Sequence, residues 1–132
     1  MDIQEIATGL RFPEGPIECV DGSIILVETE AGRLTRIEAS GKEQIIAETG
    51  GGPNGAAFGP NGRIYVCNNG SMRFVEKGDM LFPAPMNDDA SNTGWIDAID
   101  LKSGKFETIY RDCDGAPLMA PNDIVFDLNG GF

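Results

Sequence analysis

Pro53-Asn54-Gly55-Ala56-Ala57-Phe58-Gly59-Pro60-Asn61-Gly62-Arg63-Ile64-Tyr65-Val66-Cys67 decides the fold, because it reads as a short strand, a tight turn and a buried return strand. Asn-Gly supplies the positive φ angles that a two-residue hairpin needs. The apolar run Arg63-Ile64-Tyr65-Val66-Cys67 is rich in strand formers. The same module recurs on both sides. Pro13-Glu14-Gly15 leads to Asp21-Gly22, and Pro121-Asn122-Asp123 leads to Asn129-Gly130, with the same interval between the residue after Pro and the turn in all three copies. A constant interval of this kind marks an internal repeat.

Further strands follow each complete module. Ser23-Ile24-Ile25-Leu26-Val27 is the second strand of the first copy, and Gly32-Arg33-Leu34-Thr35-Arg36-Ile37 and Trp95-Ile96-Asp97-Ala98-Ile99-Asp100 read as alternating third strands. Gln44-Ile45-Ile46-Ala47 and Phe106-Glu107-Thr108-Ile109-Tyr110 are fourth strands, each reached through a Gly-Lys turn at Gly41-Lys42 and Gly104-Lys105. Four antiparallel strands per repeat make a propeller blade. The fold expected is therefore all-β, a β-propeller, with one blade at about 12–48, a second at about 53–111 interrupted by an insertion at 71–94, and the start of a third at about 121–132. Two blades and a fraction cannot close a ring, so a partial propeller over 1–132 is expected.

Composition narrows the partners. The 132 residues carry 10 Lys and Arg against 21 Asp and Glu, a net charge of -11. That charge repels phosphate backbones and anionic membrane surfaces, so neither nucleic acid nor membrane is an expected partner. The start Met1-Asp2-Ile3-Gln4-Glu5 lacks the basic and apolar regions of a secretory signal, and a soluble, cytoplasmic protein is expected. Cys19, Cys67 and Cys113 are odd in number and widely spaced, and the chain has no His. Buried strand thiols are the preferred reading over a disulfide or catalytic use.

Leu10-Arg11-Phe12-Pro13-Glu14-Gly15-Pro16, Gly51-Gly52-Pro53-Asn54-Gly55, Tyr65-Val66-Cys67-Asn68-Asn69-Gly70 and Ala120-Pro121-Asn122-Asp123-Ile124-Val125-Phe126-Asp127 resemble stretches of the SMP-30/gluconolactonase-like family. The resemblance spans nearly the whole chain outside 71–94. It implies a six-bladed propeller with a divalent metal, calcium or zinc, in its channel, and metal-assisted opening of a sugar or related lactone to the hydroxy acid. It implies further that Glu14, in the "PEG" motif, is a metal ligand and that Asn122, in the "ND" motif, faces the channel and contacts substrate or metal-bound water. The family's second Asn ligand and its Asp general base fall in later blades, beyond Phe132, so no catalytic base is expected within these residues.

Asn54 occupies the matching position of the second module and is expected to bind substrate. Glu14, Asn54 and Asn122 thus form part of one ring at one mouth, and carboxylate and amide oxygens are the donors that a hard cation prefers. The insertion, with Met72, Phe74, Met80, Leu81, Phe82 and Met86 mixed among Pro83, Pro85 and Asp88-Asp89, is expected to emerge beside that mouth as a partly ordered lid. Asp123 is expected to bond backbone, and Tyr65 and Trp95 to pack between blades. The competing reading is a propeller that binds or senses without catalysis, because the architecture hosts many functions.

Overall fold

A computed structural model describes residues 3–84 and 93–132. Two four-stranded antiparallel sheets dominate it. In the first, β1 (Pro13–Glu18), β2 (Ile24–Glu28), β3 (Arg33–Ile37) and β4 (Glu43–Glu48) lie in chain order. In the second, β5 (Pro53–Phe58) pairs with β6 (Ile64–Asn68), β6 with β9 (Trp95–Ile99) and β9 with β10 (Phe106–Tyr110). The second sheet has the connectivity of the first, except that 71–94 is inserted between its second and third strands. Within the insertion β7 (Phe74–Lys77) and β8 (Met80–Pro83) form a separate hairpin, and a small ladder of β11 (Asp112–Cys113) and β12 (Ala116–Pro117) follows the second sheet. Met86, Pro85 and Asp88-Asp89 lie outside the described residues.

The turns form where the glycines and asparagines direct them. Asn61 and Gly62 have φ of 62° and 68°, Gly22 has 77°, and Gly130 has 83°. The two sheets face one another through Ile25, Val27 and Leu34 on one side and Ala56, Ile64 and Val66 on the other, and these side chains are buried. Each large aliphatic group removed from water this way contributes roughly 1.5–3 kcal/mol.

Two expectations are corrected. The opening strand of the third module forms no sheet ladder over 121–127 among the described residues, although its turn is made, with Asp127 N donating to Gly131 O at 2.8 Å. In both complete modules the first strand bonds to the strand that follows its turn, and no such second strand of the third module is among the described residues. Of the thiols, Cys67 is buried as expected and Cys19 is half-buried, but Cys113 is exposed because β11 is a two-residue edge ladder with no sheet packed over it.

Candidate functional site

The site begins with how closely the first strands of successive modules approach. A Cβ built on Gly15 would lie 2.9 Å from Ala56 N and 3.0 Å from Asn54 O. One built on Gly55 would lie 2.6 Å from Asp123 Cα and 2.7 Å from Asn122 O. No side chain fits at either contact, so the glycine after Glu14 and the glycine after Asn54 let backbone meet backbone. The residue after Pro in one module therefore sits beside the residue after Pro in the next. Glu14, Asn54 and Asn122 occupy three adjoining positions along the inner edge. Glu14 and Asn54 are half-buried and Asn122 is exposed.

The backbone is irregular at these positions. The β1–β2 register slips between Glu14 and Ile17, and the β5–β6 register slips between Pro53 and Gly55, which leaves Asn54 as the extra residue. Bulges of this kind redirect side chains and recur beside binding sites. Phe12 and Ala120, each directly before the Pro of its module, have φ of 58° and 44°. Left-handed backbone at such residues costs on the order of 1–2 kcal/mol and is kept where surrounding structure enforces it. Bulges and strained residues thus gather at the ends of the first strands.

A buried polar clasp holds each sheet behind this edge, and the sequence reading missed it. Glu28 is fully buried and sits opposite Pro13. Its carboxylate accepts from Arg33 Nε at 2.6 Å, Arg33 Nη2 at 2.9 Å, Thr35 Oγ1 at 2.6 Å and Arg11 N at 2.8 Å. Burial pushes the Glu28 carboxyl up, but these donors together outweigh it and hold it below the ordinary glutamate range. The second sheet exchanges the parts. Asn68 stands opposite Pro53, where Glu28 stands opposite Pro13, and Asp97 takes the register position of Thr35. Asn68 Oδ1 accepts from Gly52 N at 2.8 Å and Gly70 N at 3.1 Å, while Nδ2 donates to Gly50 O at 2.8 Å. Asp97 accepts from Thr108 Oγ1 at 2.7 Å and Trp95 Nε1 at 2.8 Å, and burial raises its carboxyl above the ordinary aspartate range. A charged residue inside an apolar strand was the available signal, but its partners become visible only through cross-strand register.

The insertion folds back onto the segment that leads into β1. Phe74 packs on Phe12 with ring centroids 4.8 Å apart, and Arg11 Nη1 donates to Glu76 Oε1 at 2.8 Å. Arg11 also makes a forked pair with Glu30, at 2.6 and 2.7 Å. Between hairpin and leading segment lies a cavity of about 570 Å³, lined by Leu10, Phe12, Pro13, Met80 and Leu81 among others. Pro13 is both a wall of this cavity and the residue before Glu14.

Asp123 bonds backbone, its Oδ1 accepting from Ile124 N at 2.8 Å. Tyr65 packs edge-on against Phe126 of the third module, and Trp95 stacks beneath Arg111. Glu14, Asn54 and Asn122 take no part in the side-chain hydrogen bonds that clasp the sheets. Among the described residues no three His, Cys, Asp or Glu side chains assemble into a metal-holding group. One carboxylate flanked by amides is nonetheless a donor set of the hard, oxygen-rich kind that suits calcium. No helix among the described residues is long and apolar enough to cross a membrane.

Repeated four-stranded sheets whose first strands lie side by side define part of a β-propeller. The model of the SMP-30/gluconolactonase/LRE-like region matches residues 12–132, and the chain belongs to that family. No curated protein sequence matches it. Among solved structures it is similar to a provisionally assigned gluconolactonase from a structural-genomics programme, with a TM-score of 0.67 and 17% identity over 96% of this chain and 37% of the other. It is also similar to a Xanthomonas campestris gluconolactonase described as important in glucose secondary metabolism, with a TM-score of 0.66 and 16% identity over 92% of this chain and 33% of the other. The chain thus spans about a third of the length of these two structures.

Proposed function

We propose that the complete propeller is a metal-dependent lactone hydrolase that opens a sugar or related lactone to the hydroxy acid, and that this chain supplies one side of its site. The observation that supports the reading is the glycine-mediated approach of Gly15 to the Asn54 backbone and of Gly55 to the Asn122 backbone, which brings together the segments that carry Glu14, Asn54 and Asn122. Family membership and the two gluconolactonase likenesses support it.

Glu14 gives the inner edge a negative charge and two oxygen donors for calcium or zinc. A divalent cation bound there supplies Lewis acidity toward a carbonyl oxygen. Asn122 and Asn54, able both to donate and to accept, orient the ring oxygens of the substrate or the attacking water. The hairpin over Phe12 narrows access from one side, in the manner of a lid. The proton-accepting carboxylate that hydrolysis requires is supplied by another part of the propeller, so the 132 residues alone are inactive.

Glu14→Gln in the complete protein tests the assignment. The expected result is loss of the rise in melting temperature on adding calcium or zinc, together with loss of lactone turnover, because a ligand that binds only the folded form must stabilise it. Retention of both would remove Glu14 from the site. Lactone binding without turnover in the unaltered protein would favour the scaffold reading.

A further inference from the structure

Of the three buried side-chain polar atoms without partners among the described residues, Arg36 Nε stands alone, and the other two stand at equivalent places in the two sheets. Among the described residues, Thr29 Oγ1 and Asn69 Oδ1 are inaccessible and make no hydrogen bond. Thr29 directly follows Glu28, and Asn69 directly follows Asn68, the two residues that face Pro13 and Pro53. Their backbones are tied alike, with Thr29 N donating to Phe12 O at 3.0 Å and Asn69 N to Gly52 O at 2.9 Å. Thr29 is 1% exposed and Asn69 7%. The same rim position in both modules thus holds a hydrogen-bonding side chain that the protein leaves unused.

Such a group costs roughly 1–3 kcal/mol when buried without a partner, and a single instance can be an accident of packing. Repetition at one register position of two modules that differ in sequence argues against accident. The position lies one strand outward from Glu14 and Asn54, at the same end of the sheets. Turning the Asn69 amide over would put a donor in place of the acceptor at the same buried point. Space at Asn69 is reserved: a Cβ on Gly52 would collide with Oδ1, and it would also lie 3.4 Å from Met72 Cβ. Met72, at the base of the insertion, lies on the same side of Gly52 as the amide, and its unbranched side chain is adaptable.

We propose that Thr29 and Asn69 form an outer polar collar that hydrogen-bonds the hydroxyl groups of a polyhydroxylated lactone, one strand outside the inner positions. The inference rests on the lactonase reading and adds to it two residues that set substrate preference. Thr29 can donate or accept, and Asn69 presents an acceptor. A substrate lacking ring hydroxyls leaves both unpaired and is disfavoured for that reason.

The test uses Thr29→Val and Asn69→Leu in the complete propeller, with D-glucono-δ-lactone and δ-valerolactone as substrates. Each variant is expected to raise KM for gluconolactone about threefold to tenfold, the worth of one hydrogen bond, and to leave kcat and the KM for valerolactone within about twofold. Melting temperatures should equal or exceed that of the unaltered protein, because each change removes a buried polar atom that had no partner. Equal effects on both lactones, or a fall in melting temperature of several degrees with the preference intact, would overturn the collar and point to internal waters as the partners. An unaltered protein that hydrolyses neither lactone would sink the lactonase reading alone. Gluconate then decides the collar: a thermal shift present in the unaltered protein and absent from both variants supports it, and any other pattern refutes it.

Discussion

Gly55→Ala isolates the contact on which the placement of the site rests. The new Cβ would stand 2.6 Å from Asp123 Cα and 2.7 Å from Asn122 O, where ordinary contact begins near 3.4 Å. The obstructing atoms are mainly backbone and cannot rotate away, so the opening segment of the third module must move by about 0.8 Å relative to β5. Overpacking of that kind costs about 1–3 kcal/mol. A displacement close to 1 Å between groups that must act together costs up to roughly a hundredfold in rate, so kcat/KM in the complete protein should fall about thirtyfold to a hundredfold. Gly62→Ala is the control. Gly62 has φ of +68° and nothing within 4 Å of its built Cβ, so alanine there costs roughly 1 kcal/mol of backbone strain and moves no neighbour. Urea denaturation and lactonase kinetics on both variants give the comparison. If Gly55→Ala keeps full stability and activity, or if Gly62→Ala loses as much activity, the glycine contact does not set the spacing of Asn54 and Asn122.

Glu28→Gln should destabilise the protein by about 3 kcal/mol near neutral pH, because it leaves Arg33 without its buried counter-charge. Since the folded-state pKa of Glu28 lies below its ordinary value, its stabilisation is full above the unfolded pKa and is lost as pH falls through the folded one, so the gap between the two proteins should close on acidification. A gap independent of pH would contradict the clasp. Thiol labelling offers a simpler check: exposed Cys113 should react within the native protein, whereas Cys67, buried and with its pKa pushed up to about 11, should react only on unfolding. Native labelling of Cys67 at the rate of Cys113 would contradict its place beneath the third module, where its thiol reaches Asp123 O at 3.3 Å.

The sheets were legible because strand, turn and strand recur with a constant interval and with Asn-Gly or Asp-Gly at the point of reversal. Ser23–Val27 and Phe106–Tyr110 fall where β2 and β10 form, to within a residue. The hairpin of β7 and β8 was not read as strands, although Lys77-Gly78-Asp79 is a turn signal and Gly78 has φ of 63°. Its mixture of Met and Phe with Pro points to a lid and hides the strand pattern. Asp97 shows why alternation alone does not fix exposure: it implies one wet face only when a sheet is covered on one side, and Ile96 to Ile99 are all buried. The clasps and the paired positions of Thr29 and Asn69 depend on which residues stand opposite one another. That information exists only once the register is known. Glu14, Asn54 and Asn122, by contrast, were marked by their place in the repeat before any geometry was available.

Diffraction from crystals of the complete propeller soaked in calcium tests the central claim most directly. The expected result is an anomalous peak at the inner edge, with a Glu14 carboxylate oxygen at about 2.3–2.6 Å and the Asn54 and Asn122 amides turned toward the same opening. Cation density elsewhere, with Glu14 and Asn122 directed to opposite ends of the channel or out into bulk water, would contradict it.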